Sequence, residues 1–206
     1  FGVFENFESS FPEQFINVGV AEQNMTSLAA GLALEGKKVI TYSIGNFPTL
    51  RCLEQIRNDA CYHDLNITIV ASGGGFSYGA LGISHHATED LAILRALPSM
   101  VVVAPGTAWE AGEATEALVK TNGVGYLRLD KTVAKENCTS PFSLGRSIKY
   151  RNGEDLTMFA TGGILKDVIQ AACILRKLGI NTEVVCMHSI KPIDKSAIIA
   201  AAKETG

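Results

Sequence analysis

Short β-branched runs alternate with stretches of helical periodicity along most of this chain, and that alternation limits the fold more than any other feature. "FINVG" (15–19), "KVITYS" (38–43), "NITIVAS" (66–72), "MVVVAP" (100–105) and "VGYLRL" (124–129) read as strands. Between them lie helical patterns. The first carries Met25, Leu28, Ala29 and Leu32 and stops at Gly36; the others are "LEQIRNDACYH" (53–63), "TEDLAILRAL" (88–97) and "AWEAGEATEALVKT" (108–121). Strands that follow one another through helices pair in parallel, because a parallel partner needs a long crossover. The prediction is an α/β fold with a parallel sheet covered by helices on both faces.

Residues 131–146, "KTVAKENCTSPFSLGR", lose this periodicity and collect polar residues with Pro141 and Gly145. The expected division is a first domain over 1–135, a linker over 136–146 and a second unit over 147–206. In the second unit "DLTMFAT" (155–161) and "TEVVCMH" (182–188) read as strands flanking a helix over 164–179. That is the start of another α/β domain, shorter than the roughly 100 residues of a typical one. The sequence opens at Phe1 and closes on "AAKETG" after a helical pattern, and both ends read as truncated.

An apolar fraction of 47% and 20 glycines suit a packed α/β protein. The net charge of −3, with scattered Lys and Arg, argues against nucleic acid or an anionic membrane as partner. No apolar run approaches the roughly 20 residues needed to span a bilayer. The five cysteines, Cys52, Cys61, Cys138, Cys173 and Cys186, contain no C-x-x-C pair, so reduced, mostly buried thiols are expected rather than a disulfide framework or a zinc site. This favours a cytoplasmic protein.

Ligands of open parallel sheets bind beyond the carboxyl ends of the strands. That rule selects the loops at 19–22, 43–47, 72–86, 105–107 and 129–131, and so brings Glu22 and the pair His85-His86 to one edge. An acid in the first turn of a helix favours the helix dipole; a shielded acid at a ligand edge can do chemistry. The run Gly73-Gly74-Gly75 lacks the G-x-G-x-x-G order before a helix and is not read as a dinucleotide loop. His63 ends a helix, where a cation suits the dipole, and His188 reads as structural or interfacial.

"FINVGVAEQNMTSLAAGLALEG" resembles the pyrimidine-binding domain of the transketolases, thiamine-diphosphate enzymes. The likeness continues through "LEQIRNDACYHDLNITIVAS", "GISHHATEDLAILRALPSMVVVAPG" and "VGYLRL", and "DLTMFATG" and "VVCMHSIKPID" are similar to the start of the family's C-terminal domain. The match is to the second polypeptide of a split transketolase. The resemblance implies that Glu22 is catalytic, hydrogen-bonding the ring nitrogen of the cofactor's aminopyrimidine so that thiazolium C2 can lose its proton. It implies that Phe47 packs on that ring, with Tyr42 and Ile44 as further cofactor contacts. His85 would face the substrate as a second catalytic group, His86 would adjoin it, and Arg128 would hold the substrate phosphate.

Two departures bear on the substrate. Where the family carries a phosphate-binding histidine this chain has Gly73, and in place of its acidic pair stand Ala80 and Leu81. A more apolar mouth of this kind suggests a sugar other than the usual ketose phosphates. The family's G-D-G…N segment, which holds Mg²⁺ and the diphosphate, is not found here. The resemblance therefore implies Mg²⁺ ligands on an N-terminal, diphosphate-binding partner chain, in an α2β2 heterotetramer that also has contacts between copies of this chain. The expected activity is transfer of a two-carbon ketol unit. Two alternatives stay open: carboligation or decarboxylation of a 2-oxo acid, as in deoxyxylulose-phosphate synthases or pyruvate-type dehydrogenase β subunits, and a non-catalytic scaffold. The "AEQNM" and "EQIRN" runs favour the transketolase branch.

Overall fold

The computed structural model describes residues 3–135 and 140–205. After a short helix α1 (Glu5–Ser10), the first unit runs α2 (Glu22–Leu34), β1 (Val39–Ile44), α3 (53–61), β2 (Ile67–Ser72), α4 (Asp90–Ala96), β3 (Val101–Val103), α5 (Ala108–Lys120) and β4 (Gly125–Leu129). Strands β1, β2, β4 and β3 pair in parallel in that spatial order.

The period-two alternation of these strands builds two cores. Ile67, Ile69 and Ala71 of β2 and Tyr126 of β4 face α2, α3 and α4, where Ala29, Ala30, Ile56 and Leu94 cover them. Val70 and Leu127 point the other way, onto Ala114 and Leu118 of α5. Residues 67–71 of β2 are therefore buried throughout, as expected of a strand with no wet face. The small residues Ala29, Ala30 and Ala33 allow α2 to lie close on the sheet.

The second unit contributes β5 (Ile148–Arg151), β6 (Leu156–Ala160), α6 (Leu165–Lys177), β7 (Thr182–Cys186), β8 (Ser189–Lys191) and α7 (Lys195–Glu204). Its own sheet has the order β5-β7-β6, with β6 parallel and β5 antiparallel to β7. Leu165, Ile169 and Ala172 of α6 pack there on Val184 and Cys186. Strand β8 leaves that sheet and lies antiparallel beside β3, so the second unit supplies an edge strand to the first.

The structure departs from the sequence reading at several points. "FINVG" forms no strand and pairs with nothing among the described residues; it is largely exposed, and β-branched composition without a neighbour makes no ladder. The helix over 53–63 is one α-turn, Leu53–Gln55, that widens into π-turns over Ile56–Cys61. Strands β5 and β8 have no counterpart in the sequence reading. Cys52, Cys61 and Cys186 are buried free thiols and Cys173 is an exposed one, while Cys138, in the linker expected at 136–146, falls with residues 136–139 outside the described residues. No helix among the described residues is long and apolar enough to cross a membrane.

Candidate functional site

Helix α2 runs back along β1, which brings its first residue to the carboxyl ends of the parallel strands. That residue is Glu22, only 8% exposed. A buried carboxylate is costly unless its oxygens are met. Here the Ser43 hydroxyl, from the end of β1, donates to Oε1 at 3.2 Å. The Nη1 group of Arg51 donates to Oε2 at 3.0 Å, forming an ion pair.

Arg51 projects from a 3₁₀ turn, Leu50–Cys52, whose base is fixed by the fully buried Cys52; the Cys52 thiol donates to the carbonyl of Phe47 at 3.3 Å. The Arg51 guanidinium carbon lies 4.3 Å from the centre of the Phe47 ring. One flat cation thus touches both the Glu22 carboxylate and the Phe47 face.

The contacts extend across the edge. The ring centres of Phe47 and His85 are 5.0 Å apart in an edge-to-face arrangement. The Nδ1 atom of His85 is engaged by the Ser84 hydroxyl at 3.0 Å, and its Nε2 has no hydrogen-bond partner among the described residues. The Asn46 amide donates to the Ser84 carbonyl at 3.2 Å and ties this loop to the one after β1. Tyr78 follows, 5.9 Å from His85, with the Lys131 ammonium 3.6 Å from its ring centre. The site is a row that begins at a buried acid and ends at an exposed cation.

Gly73 explains the shape of this row. Its φ is +86°, and a β-carbon there would lie 2.2 Å from Cε2 of Tyr78. Tyr78 occupies the space into which a larger residue at 73 would project. Phe76, Leu81 and Ile83 are exposed around it and make the rim apolar.

Four of the anticipated site residues turn elsewhere. Tyr42 alternates away from Ser43, stands edge-on to Phe4 at 4.9 Å and packs on the core beneath α5; Ile44 shares that side of β1. His86 donates from Nε2 to the Gly79 carbonyl at 3.0 Å and meets Phe76 at 5.0 Å, so it braces its own loop. Arg128, expected to hold the substrate phosphate, is engaged by two carboxylates in this structure. On β4 it shares a face with Tyr126, which points it at the start of α4. There its Nη1 is 3.5 Å from Asp90 and its Nη2 3.6 Å from Asp130. The Tyr126 hydroxyl also donates to Asp90, at 2.6 Å, and burial together with that carboxylate pushes its pKa well up. Asp130 further accepts from the backbone of Gly74 and Gly163, linking the loop after β2 to the second unit.

Ser43, Arg51, Tyr78 and Lys131 join the site without having stood out in the sequence. Alternation along β1 places Ser43 with the buried Thr41 and could have found it, and Lys131 lies two residues beyond the end of β4. Arg51 and Tyr78 carry no local signal, because their roles depend on turns that bring distant loops together.

The pattern described as "Transketolase, pyrimidine binding domain" matches residues 2–135, and that described as "Transketolase, C-terminal domain" matches 145–206. The chain belongs to the transketolase family. It is 41% identical over 196 residues to a putative transketolase C-terminal section of Methanocaldococcus jannaschii, covering 93% of this chain and 62% of that protein. It is 38% identical over 204 residues to an apulose-4-phosphate transketolase subunit of Phocaeicola vulgatus, covering 98% and 65%. A solved split-gene transketolase, described as an inactive β4 tetramer, superposes with a TM-score of 0.88 at 36% identity, covering 98% of this chain and 66% of that one. This chain spans less than two thirds of the length of the first two relatives.

Proposed function

We propose that this transketolase-family chain is the pyrimidine-binding subunit of a two-chain, thiamine-diphosphate-dependent enzyme that transfers a two-carbon ketol unit. The observation that carries the reading is the Glu22 carboxylate, buried at the strand-end edge with the Phe47 ring across from it. These residues fit the cofactor's aminopyrimidine: a flat group that stacks on Phe47 and hydrogen-bonds Glu22 has a stand-in there already, the Arg51 guanidinium. When bound, thiamine diphosphate supplies the carbon nucleophile and the electron sink.

The chain's own residues have separable tasks. Glu22, in its protonated form, would donate that proton to the pyrimidine ring nitrogen, with the Ser43 hydroxyl fixing the orientation of its carboxyl group. Phe47 stacks on the ring, a contact worth about 1 kcal/mol beyond area burial. His85, oriented through Nδ1 by Ser84, offers Nε2 to a substrate oxygen or to a proton in transit. At the far end Lys131 provides the cation for an anionic substrate group, in place of Arg128. Ligands for Mg²⁺ and the diphosphate come from a partner chain, and two copies of each chain form a closed assembly.

The substrate end favours a sugar outside the usual ketose phosphates. Tyr78 stands over Gly73, and Ala80 and Leu81 offer no hydrogen bonds to sugar hydroxyls, each worth roughly 1 kcal/mol. That one relative is named for apulose 4-phosphate agrees with such a variation.

The test is reconstitution with a diphosphate-binding subunit. Saturable, Mg²⁺-dependent binding of thiamine diphosphate is expected. Glu22→Gln is expected to lower turnover by about 10²-fold or more while the complex keeps its size. Wild-type turnover in that variant, or no binding at millimolar cofactor, would overturn the reading. A sugar screen on the same complex is expected to give poor rates with xylulose and ribose phosphates, and efficient transfer between them would refute the proposed substrate class.

A further inference from the structure

Arg51 makes both contacts that the proposed function assigns to the aminopyrimidine. Its guanidinium donates to Glu22 Oε2 at 3.0 Å and lies 4.3 Å from the centre of the Phe47 ring. Oε1 is already engaged by Ser43. A ring cannot stack on the same Phe47 face and hydrogen-bond the same carboxyl group while the guanidinium is there. We propose that Arg51 is a built-in occupant of the pyrimidine slot, holding Glu22 and Phe47 in position and leaving when the cofactor enters.

The side chain is built for such an exchange. Its backbone is fixed, because Cys52 is fully buried and Thr49 donates to the Gly45 carbonyl at 2.9 Å. Its head is not buried: the Arg51 side chain is 46% exposed, against 9% for that of Glu22. Swinging the guanidinium into water costs only a solvent-screened pair and an exposed stacking contact. Glu22, by contrast, cannot be left without a partner, since a buried carboxylate stripped of its hydrogen bonds is strongly disfavoured. The acid therefore always has a flat hydrogen-bonding partner against it: first Arg51, which donates to the carboxylate, and then the cofactor's ring nitrogen, which accepts from the protonated carboxyl. A guanidinium suits this better than an ammonium because it is planar and presents a fork of N–H groups.

This inference rests on the proposed cofactor reading, and the experiment separates the two. The full chain, reconstituted with a diphosphate-binding subunit, is titrated calorimetrically with thiamine diphosphate in the presence of Mg²⁺. Arg51→Ala is expected to bind about three- to tenfold more tightly than wild type, because no resident cation has to be displaced. Arg51→Lys, which keeps the charge but not the flat fork, should fall between them. Tighter binding on truncation is the opposite of what general damage to the slot produces. Equal or weaker binding in Arg51→Ala, with wild-type binding intact, overturns the displacement and makes Arg51 a permanent cofactor contact. If wild type and both variants all fail to bind, the cofactor reading itself falls and takes this inference with it.

Discussion

Gly73 and Tyr78 are a matched pair, since a β-carbon on the glycine would stand 2.2 Å from the edge of the tyrosine ring. Two costs therefore meet in Gly73→Ala: a φ of +86°, which L-residues rarely adopt, and a clash with the ring. Strain of about 1–3 kcal/mol and overpacking of similar size predict a loss of about 2–6 kcal/mol in urea unfolding. In a Tyr78→Ala background the clash disappears while the strain persists, so the same substitution should cost less there. Strictly additive losses in the double-mutant cycle would mean that the two residues are not coupled.

How much of this is legible in the sequence follows from how local each signal is. The apolar run Ile67–Ala71 announces a doubly covered strand, and the acid at the head of α2 announces Glu22, because both are encoded within a few residues. β8 is not legible: three residues, paired with a β3 strand from the other unit, leave no periodicity to detect. "FINVG" misleads for the converse reason, having strand composition but no neighbour. Within the site, motif and resemblance point to Glu22, Phe47 and His85, which the fold brings to one edge. Arg51 escapes because its meaning lies in a carboxylate 29 residues away. The carboxylate partners of Arg128 are not legible either, because a cation at a strand end looks the same in sequence whether it faces a ligand or two carboxylates.

That engagement of Arg128 predicts a contribution to stability. Its side chain is 13% exposed and lies between those of Asp90, 1% exposed, and Asp130, 11% exposed. Breaking a buried ion pair by removing one partner strands the other charge and costs about 3–5 kcal/mol. Arg128→Ala is expected to lose that much in urea unfolding. A variant as stable as wild type that instead loses sugar affinity would return Arg128 to the substrate.

The thiols should divide by burial. Burial pushes the Cys61 thiol up to about 11, raises that of Cys52, and, reinforced by the neighbouring Glu110 carboxylate, sends that of Cys186 far up. At pH 8 a thiol titrating near 11 is about 10⁻³ thiolate, and the thiolate is the reactive form. Brief iodoacetamide treatment of the folded protein should modify the exposed Cys173 and spare Cys52, Cys61 and Cys186 until urea is added. Peptide mass spectrometry reads the pattern directly; rapid native labelling of Cys61 or Cys186 would contradict the packing described.

His188 should make stability depend on pH. It is fully buried, stacked on Phe142 at 4.3 Å, with Nδ1 against the Ser189 hydroxyl at 3.1 Å and Nε2 unpartnered among the described residues. Burial pushes its pKa down to about 4, only partly opposed by the Asp194 carboxylate. An unfolded chain protonates this imidazole near 6.5, before the folded one does, so acid favours unfolding. Stability from this source is complete above about pH 6.5, is lost as the pH falls towards about 4, and levels off below; the span amounts to about 3 kcal/mol. Asp194 acts in a lower window. Although burial pulls the other way, hydrogen bonds from Ser196, Ser147 and Ala197 hold its carboxyl well below the usual range, so its contribution is lost only as the pH falls below about 4. Urea unfolding of wild type and His188→Gln between about pH 4.5 and 8 separates the two groups. The variant should be less stable at about pH 8 yet show a flatter profile between about 6.5 and 4.5, and parallel profiles would exclude His188 as the source of the dependence.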